Sequence, residues 1–76
     1  MCPLSSASEG EVLSVLRVRL EPQEVKKLGE MGISPGMRLR LVRRDRFSVV
    51  VDAAGSRLAL GGQVASRIWV APVPGA

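Results

Sequence analysis

Hydrophobic and polar residues alternate in the first third of this chain, a pattern typical of a β-strand with one buried face. Leu16, Val18 and Leu20 alternate there with charged residues, so their side chains are predicted to share the buried face. The residues before this strand, 1–10, are small and polar. They predict an irregular leader that either lies against the fold or frays, with Leu4 as its apolar anchor.

A change of pattern at Pro22 predicts a short helix, because proline is favoured in the first turn of a helix. Val25 and Leu28 lie three residues apart and are predicted to form its apolar face. Gly32 suits the left-handed conformation that commonly follows the end of a helix. The dipeptide Pro35-Gly36 then predicts a type II turn, after which the alternating pattern returns.

Four more short strands are predicted after the helix and complete the sheet. Leu39 and Leu41 alternate with arginines in the first of these strands. In the second, Phe47, Val49 and Val51 are predicted to form one inward-facing series. The remaining predicted elements are a short strand that contains Leu58 and Leu60, a helical turn at 63–66, a last strand at 67–70 and a tail at 71–76.

These elements predict a mostly β fold. Five short strands joined by close turns are expected to form one sheet that closes on itself as a small, partly open barrel. A short helix is expected after the first strand, and one helical turn before the last. Closing the sheet in this way buries a single apolar face and shields the strand edges.

The length of the chain, 76 residues, fits one small domain, and we expect residues 1–76 to form it. No apolar run approaches the roughly 20 residues that a membrane-spanning helix needs. Residues 1–6 also lack the charged start and apolar stretch of a signal peptide. These features predict a cytoplasmic protein that does not insert directly into a membrane.

Composition excludes several kinds of chemistry. The chain has no histidine and one cysteine, so a Ser-His-Asp triad, a histidine metal site and an internal disulfide cannot form. No basic residue stands near Cys2 to activate its thiol, and oxidative dimerisation is its expected reaction. Glu21 and Glu24 are interpreted as partners of the helix dipole rather than as iron ligands. We therefore predict no enzymatic activity, no metal site and no cofactor.

The charges allow two interpretations. Eleven Lys and Arg residues stand against seven Asp and Glu residues, and five of the arginines lie within 38–46. These arginines form either a basic binding face or the solvated face of a strand. Phe47 and Trp69 are the only aromatic residues, too few for base stacking, so nucleic-acid binding is not expected. Trp69 is predicted to face away from Ile68 and Val70, either as a contact for a partner or a second copy, or as a cover over the open end of the barrel.

The segment from Leu28 to Gly36 resembles a known family motif. Its residues, Leu-Gly-Glu-Met-Gly-Ile-Ser-Pro-Gly, are similar to the L-x-x-L/M-G-I/L-x-P-G core of the ferrous iron transport protein A family, FeoA. The opening after Pro3 and the closing segments around Leu58 and Ile68 also resemble that family. The resemblance extends from about Pro3 to Val70 and implies an SH3-like barrel.

The resemblance also implies a function. FeoA proteins are accessory proteins of bacterial ferrous iron uptake, and the membrane transporter of that system, FeoB, carries a cytosolic GTPase domain. We expect a non-catalytic adaptor that binds this cytosolic region. The alternative is a free-standing regulatory domain, because the same SH3-like domain forms the C-terminus of metal-dependent repressors. The residues expected to contact the partner are Lys26, Lys27, Glu30, Ser34, Pro35, Gly36 and Trp69.

Overall fold

The computed structural model describes residues 1–75. Their elements are β1 (Cys2–Pro3), a 3-10 turn (Leu4–Ser6), β2 (Val12–Val18), α1 (Pro22–Glu30), β3 (Arg38–Arg44), β4 (Ser48–Ala53), β5 (Ser56–Gly61), α2 (Gly62–Ala65) and β6 (Ile68–Pro72). The strands form one antiparallel sheet in the order β1-β6-β2-β3-β4-β5, so the mostly β class predicted from the sequence is confirmed. The described residues contain six strands instead of five, because the leader contributes one.

The leader is more ordered than the sequence predicted. Cys2 pairs with Val70 and Pro3 pairs with Trp69, so β1 covers the edge that β6 would otherwise present to solvent. The 3-10 turn that follows brings Leu4 into the core, where its side chain is 0% exposed. An irregular leader was therefore the wrong expectation, because the partner of this strand lies at the other end of the chain.

A bulge in β2 changes which residues of this strand are buried. The pairing of β2 with β6 shifts between Val15 and Arg17, which places one extra residue on the β2 side. Leu13 and Val15 are consequently buried, whereas Leu16 is 44% exposed. The prediction that Leu16 shares a buried face with Val18 was wrong, because the bulge interrupts the alternation at this residue.

Helix α1 begins at Pro22, as the sequence predicted, and is nine residues long. It ends in a Schellman motif: the backbone N–H of Ile33 donates to the carbonyl of Leu28 at 2.8 Å, and Gly32 has φ +90°. Both Leu28 and Ile33 are buried, so the same turn that ends the helix also anchors it in the core.

The turn after the helix is fixed to the sheet. The N–H of Met37 donates to the carbonyl of Ser34 at 3.0 Å, and Gly36 has φ +91°, as the predicted type II turn requires. The N–H of Gly36 also donates to the carbonyl of Val15 at 2.9 Å. The turn is therefore held by the backbone of β2 and is rigidly placed beside the helix.

The connection between β3 and β4 contradicts the prediction for Phe47. One carboxylate oxygen of Asp45 accepts hydrogen bonds from the N–H groups of Phe47 and Ser48, at 2.8 and 2.9 Å. These two bonds hold the pKa of Asp45 below its usual range. Phe47 consequently lies in the turn and is 77% exposed, whereas Val49 and Val51 are buried as predicted.

The C-terminal part agrees with the predicted pattern except at its end. The helical turn forms as α2, one residue earlier than predicted, and Ala65 is buried. Strand β6 does not stop at Val70 but continues to Pro72, which pairs with Leu13 of β2. Two residues of the predicted tail therefore belong to the sheet. The buried core consists of Leu4, Ala7, Leu13, Val15, Leu28, Ile33, Leu39, Leu41, Val49, Val51, Ala53, Leu60, Ala65, Ile68 and Val70.

Candidate functional site

All but one of the residues expected to contact a partner lie along α1 and the turn that follows it. Leu28 is buried and Val25 is half-buried, so the helix turns its apolar side to the sheet and its charged side to solvent. The side chains on the charged side are exposed, as are Pro35 and Gly36, while Ser34 is half-buried. We call this region the helix–turn surface; it consists of Lys26, Lys27, Glu30, Ser34, Pro35 and Gly36.

The charged side chains of the helix–turn surface have no partners within residues 1–75. Lys26, Lys27 and Glu30 form neither an ion pair nor a side-chain hydrogen bond there. The ion pair that the structure shows lies elsewhere, between Arg57 and Asp52 at 2.9 Å, where the guanidinium lowers the pKa of the carboxyl. Two cations and one anion of the helix–turn surface are thus available to a charged partner.

A cavity of about 240 Å³ adjoins the helix–turn surface. It lies where α1 meets β5 and α2, and Lys27 belongs to both the cavity and the surface. The sequence did not predict this cavity, because its walls come from elements far apart along the chain. Its lining residues are Leu20, Glu24, Lys27, Leu28, Ala59, Leu60, Gly61 and Val64.

Trp69 lies in a different place, on the outer face of β6. Its neighbours Ile68 and Val70 are fully buried, so the predicted orientation of Trp69 is correct. The indole is half-buried and lines a groove of about 430 Å³ together with Arg19, Ser66 and Arg67. The expected alternatives for Trp69 were a contact residue or a cover over the barrel end, and its position in an open groove favours a contact residue.

A second cavity, of about 210 Å³, continues this groove. Met1, Arg17, Arg19 and Trp69 line it, so Arg19 and Trp69 belong to both. We call the combined feature the arginine–tryptophan groove and define it by Arg17, Arg19, Arg67 and Trp69. The sequence did not predict a site at these three arginines, because they come together only where β2 pairs with β6.

The groups considered as metal ligands do not come together. Cys2 is half-buried on β1 and forms no disulfide. Glu21 and Glu24 line one shared cavity, but Arg19 and Arg67 line it with them. Across residues 1–75, no three Cys, Asp or Glu side chains form a group that could hold a metal ion. None of the helices in that range is both long enough and apolar enough to cross a bilayer.

Comparisons with known proteins agree with the motif around Gly32. The family model for the FeoA domain matches residues 2–72. A Methanocaldococcus jannaschii protein, provisionally named Fe(2+) transport protein A, is 33% identical over 70 residues, which cover 92% of this chain and 85% of that protein. A crystal structure described as iron uptake regulatory protein (FeoA) superposes with a TM-score of 0.85 at 25% identity, covering 93% of this chain and 96% of the other.

The fold is also shared with a regulator. A structure described as a manganese-dependent transcriptional repressor superposes with a TM-score of 0.82 at 27% identity, covering 93% of this chain but only 41% of the repressor. The SH3-like fold expected from the sequence is thereby confirmed. Because the family model spans nearly the whole chain and a relative in iron transport is 33% identical, the chain belongs to the FeoA domain family, which acts in ferrous iron transport.

Proposed function

We propose that this protein is a non-catalytic accessory protein of ferrous iron uptake that binds the cytosolic GTPase region of a FeoB-like membrane transporter. The match to the FeoA domain over residues 2–72 is the observation that carries the proposal. The chemistry of the chain is consistent with it: no histidine is present, and no buried polar side chain occurs in residues 1–75. The protein then acts in the cytoplasm by contact, and the iron is the transporter's cargo.

The helix–turn surface is suited to this contact because its backbone is fixed. Hydrogen bonds from Ile33 to Leu28 and from Gly36 to Val15 hold the end of α1 and the following turn in place. A rigid surface loses little conformational entropy when it binds. The exposed charges of α1 favour a partner with complementary charge and a fast encounter. The neighbouring cavity that Lys27 lines gives the partner an apolar site to fill.

Reversal of one charge tests this assignment. We expect Lys27→Glu to weaken binding to the purified cytosolic region of the transporter about tenfold, because it replaces an attractive charge with a repulsive one beside the cavity. Isothermal titration calorimetry with both purified proteins measures the change.

The matched control is Arg46→Glu, which makes the same change of charge in the exposed turn between β3 and β4. Its binding should stay within about twofold of the original protein at physiological salt, because screening limits the long-range effect of one exposed charge. Equal losses in both variants would show that net charge, and not the helix–turn surface, governs binding. No binding by the unmodified protein would refute the adaptor role itself.

Similarity to the manganese-dependent repressor supports a second candidate, a free-standing regulatory domain that acts through protein contacts. In this second role the domain would act on transcription through a separate DNA-binding partner. Measuring Fe(II) uptake and transporter transcript together in cells without this protein separates the candidates. Reduced uptake with unchanged transcript supports the adaptor, whereas an altered transcript level supports the regulator.

A further inference from the structure

The arginine–tryptophan groove is built by the pairing of two strands. In the register of β2 and β6, Arg17 lies directly opposite Trp69. The backbone N–H of Arg19 donates to the carbonyl of Arg67 at 2.9 Å, which brings these two residues opposite each other. Side chains two residues apart on a strand point to the same side. All four side chains therefore project from one outer face of the sheet.

This arrangement concentrates positive charge that the fold does not use. Like charges directly opposite each other in an antiparallel pair destabilise the sheet. The guanidinium groups of Arg17, Arg19 and Arg67 nevertheless form no ion pair and no hydrogen bond to residues 1–75. Three guanidiniums thus line the two cavities of this groove without forming an ion pair. Guanidiniums are well suited to bind an anion with several oxygen atoms.

Two carboxylates limit where such an anion can lie. Glu21 and Glu24 line a neighbouring cavity of about 340 Å³ that also includes Arg19 and Arg67. These carboxylates repel an anion at that end of the groove. The end that contains Arg17 has no acidic lining residue. The anionic part of a ligand is therefore directed toward Arg17 and Arg19.

The volume of the groove and the indole of Trp69 limit the class of ligand that can bind there. The volume of about 430 Å³ falls within the range of roughly 300–1,000 Å³ that is typical of small-molecule sites. The half-buried Trp69 offers a flat apolar surface on which a planar ring can stack. An acidic peptide segment would need neither a compact groove nor an aromatic platform. A ligand that joins a planar ring to an oligophosphate uses both.

We propose that the arginine–tryptophan groove binds a nucleoside diphosphate or triphosphate. The base stacks on Trp69, and the phosphate oxygens accept hydrogen bonds from Arg17 and Arg19, with Arg67 contributing at the other side of the ring. Binding involves no covalent step. This site lies outside the helix–turn surface and does not depend on the proposed transporter contact.

The single tryptophan of the chain makes a direct test possible, because its fluorescence reports only on this groove. We expect ADP to change the emission of Trp69 saturably at low salt and more weakly as salt is added. Two partial ligands separate the contributions: adenosine has the ring without phosphate, and pyrophosphate has the phosphates without the ring. Both should bind at least about tenfold more weakly than ADP.

Substitutions locate the site. Arg17→Gln should weaken ADP binding about tenfold, since it removes a charge-assisted donor to the phosphates. Arg67→Gln should weaken it by less, about twofold to threefold, because Arg67 lies on the other side of the ring from the phosphates. Glu21→Gln should strengthen it about twofold by removing a repulsive charge. Arg46→Gln, an exposed arginine outside the groove, is the matched control and should change nothing. All of these positions are exposed, so the variants are expected to fold, which circular dichroism checks.

Several results would overturn the proposal. If pyrophosphate bound as tightly as ADP, the ring would contribute nothing and the groove would be a general anion site. A glutamate-rich peptide that binds the groove where ADP does not would identify a protein contact instead. The nucleotide site would be refuted if millimolar ADP did not change the emission of Trp69. It would also be refuted if the Arg17→Gln and Arg46→Gln variants bound ADP with equal affinity. None of these results affects the test of the helix–turn surface, whose Lys27 lies outside the groove.

Discussion

Gly32 shows how one residue can join two parts of the fold. Its φ of +90° ends α1, and a Cβ placed on it would lie only 2.5 Å from the Cβ of Ala54. Ala54 itself has a positive φ, 51°, in the tight turn between β4 and β5. The end of the helix thus packs directly against a hairpin turn, and only a residue without a side chain fits between them.

Alanine substitutions at Gly32 and Gly36 separate the cost of a positive φ from the cost of a steric clash with Ala54. Gly36 has almost the same φ, +91°, but no atom lies within 4 Å of the Cβ it would gain. Gly36→Ala should therefore lower the free energy of unfolding only by the backbone strain, about 1–2 kcal/mol. Gly32→Ala adds the collision with Ala54 and should lower it by roughly 1–3 kcal/mol more. Urea denaturation measures both, and equal losses would mean that the contact with Ala54 relaxes freely.

Single residues were also where sequence reasoning succeeded best. Pro22, Gly32 and Gly36 act through local backbone conformation, which neighbouring residues determine, so the helix and the turn could be predicted from the sequence. The same local signals located most of the helix–turn surface. The prediction for Phe47 was wrong because the backbone N–H of Phe47 donates a hydrogen bond to the carboxylate of Asp45, which holds Phe47 in the turn. The alternation of apolar residues does not reveal such a bond.

At the scale of elements, the register between paired strands could not be predicted from the sequence. Bulges shift the pairing between Val15 and Arg17 in β2 and between Leu41 and Arg43 in β3. A bulge belongs to two strands together, so the pattern of one strand cannot locate it reliably. The arginine–tryptophan groove escaped prediction for the same reason, since it exists only where β2 pairs with β6.

Two leucines test the revised assignment of these elements. Leu4, in the ordered leader, is 0% exposed, whereas Leu16, at the bulge, is 44% exposed. Leu4→Ala should lower the free energy of unfolding by about 2–4 kcal/mol, because it leaves a cavity in the core. Leu16→Ala should change it by less than about 1 kcal/mol. Thermal and urea unfolding compare the two variants, and the reverse order would indicate a frayed leader and a buried Leu16.

At the scale of the whole molecule, charge is unevenly organised. The net charge of +4 includes the unpaired arginines of the groove and the mixed charges of the helix–turn surface. These two regions lie on different elements, so the two proposed contacts would occupy separate surfaces of one domain. The local pattern of the helix and turn predicted the first region from the sequence, whereas only the folded sheet reveals the second.

The order of strands in the sheet has a consequence for the route by which the chain folds. Strands β3, β4 and β5 are joined by short turns, whereas β6 must return to β1 and β2 from the opposite end of the sequence. Bringing distant segments together costs more loop-closure entropy. We therefore expect the three-stranded meander to form the folding nucleus and the ends of the chain to dock last.

Two fully buried valines can reveal this order. Val51→Ala, in the meander, should mainly slow folding, whereas Val70→Ala, in the last strand, should mainly accelerate unfolding. Stopped-flow fluorescence of Trp69 follows folding and unfolding. If both variants divided their loss of stability equally between the folding rate and the unfolding rate, the proposed order of folding would be disproved. If β6 docks onto β2 last, the arginine–tryptophan groove forms only in the final step of folding. A molecule bound in this groove would then hold β2 and β6 together and slow the local unfolding of the two chain ends.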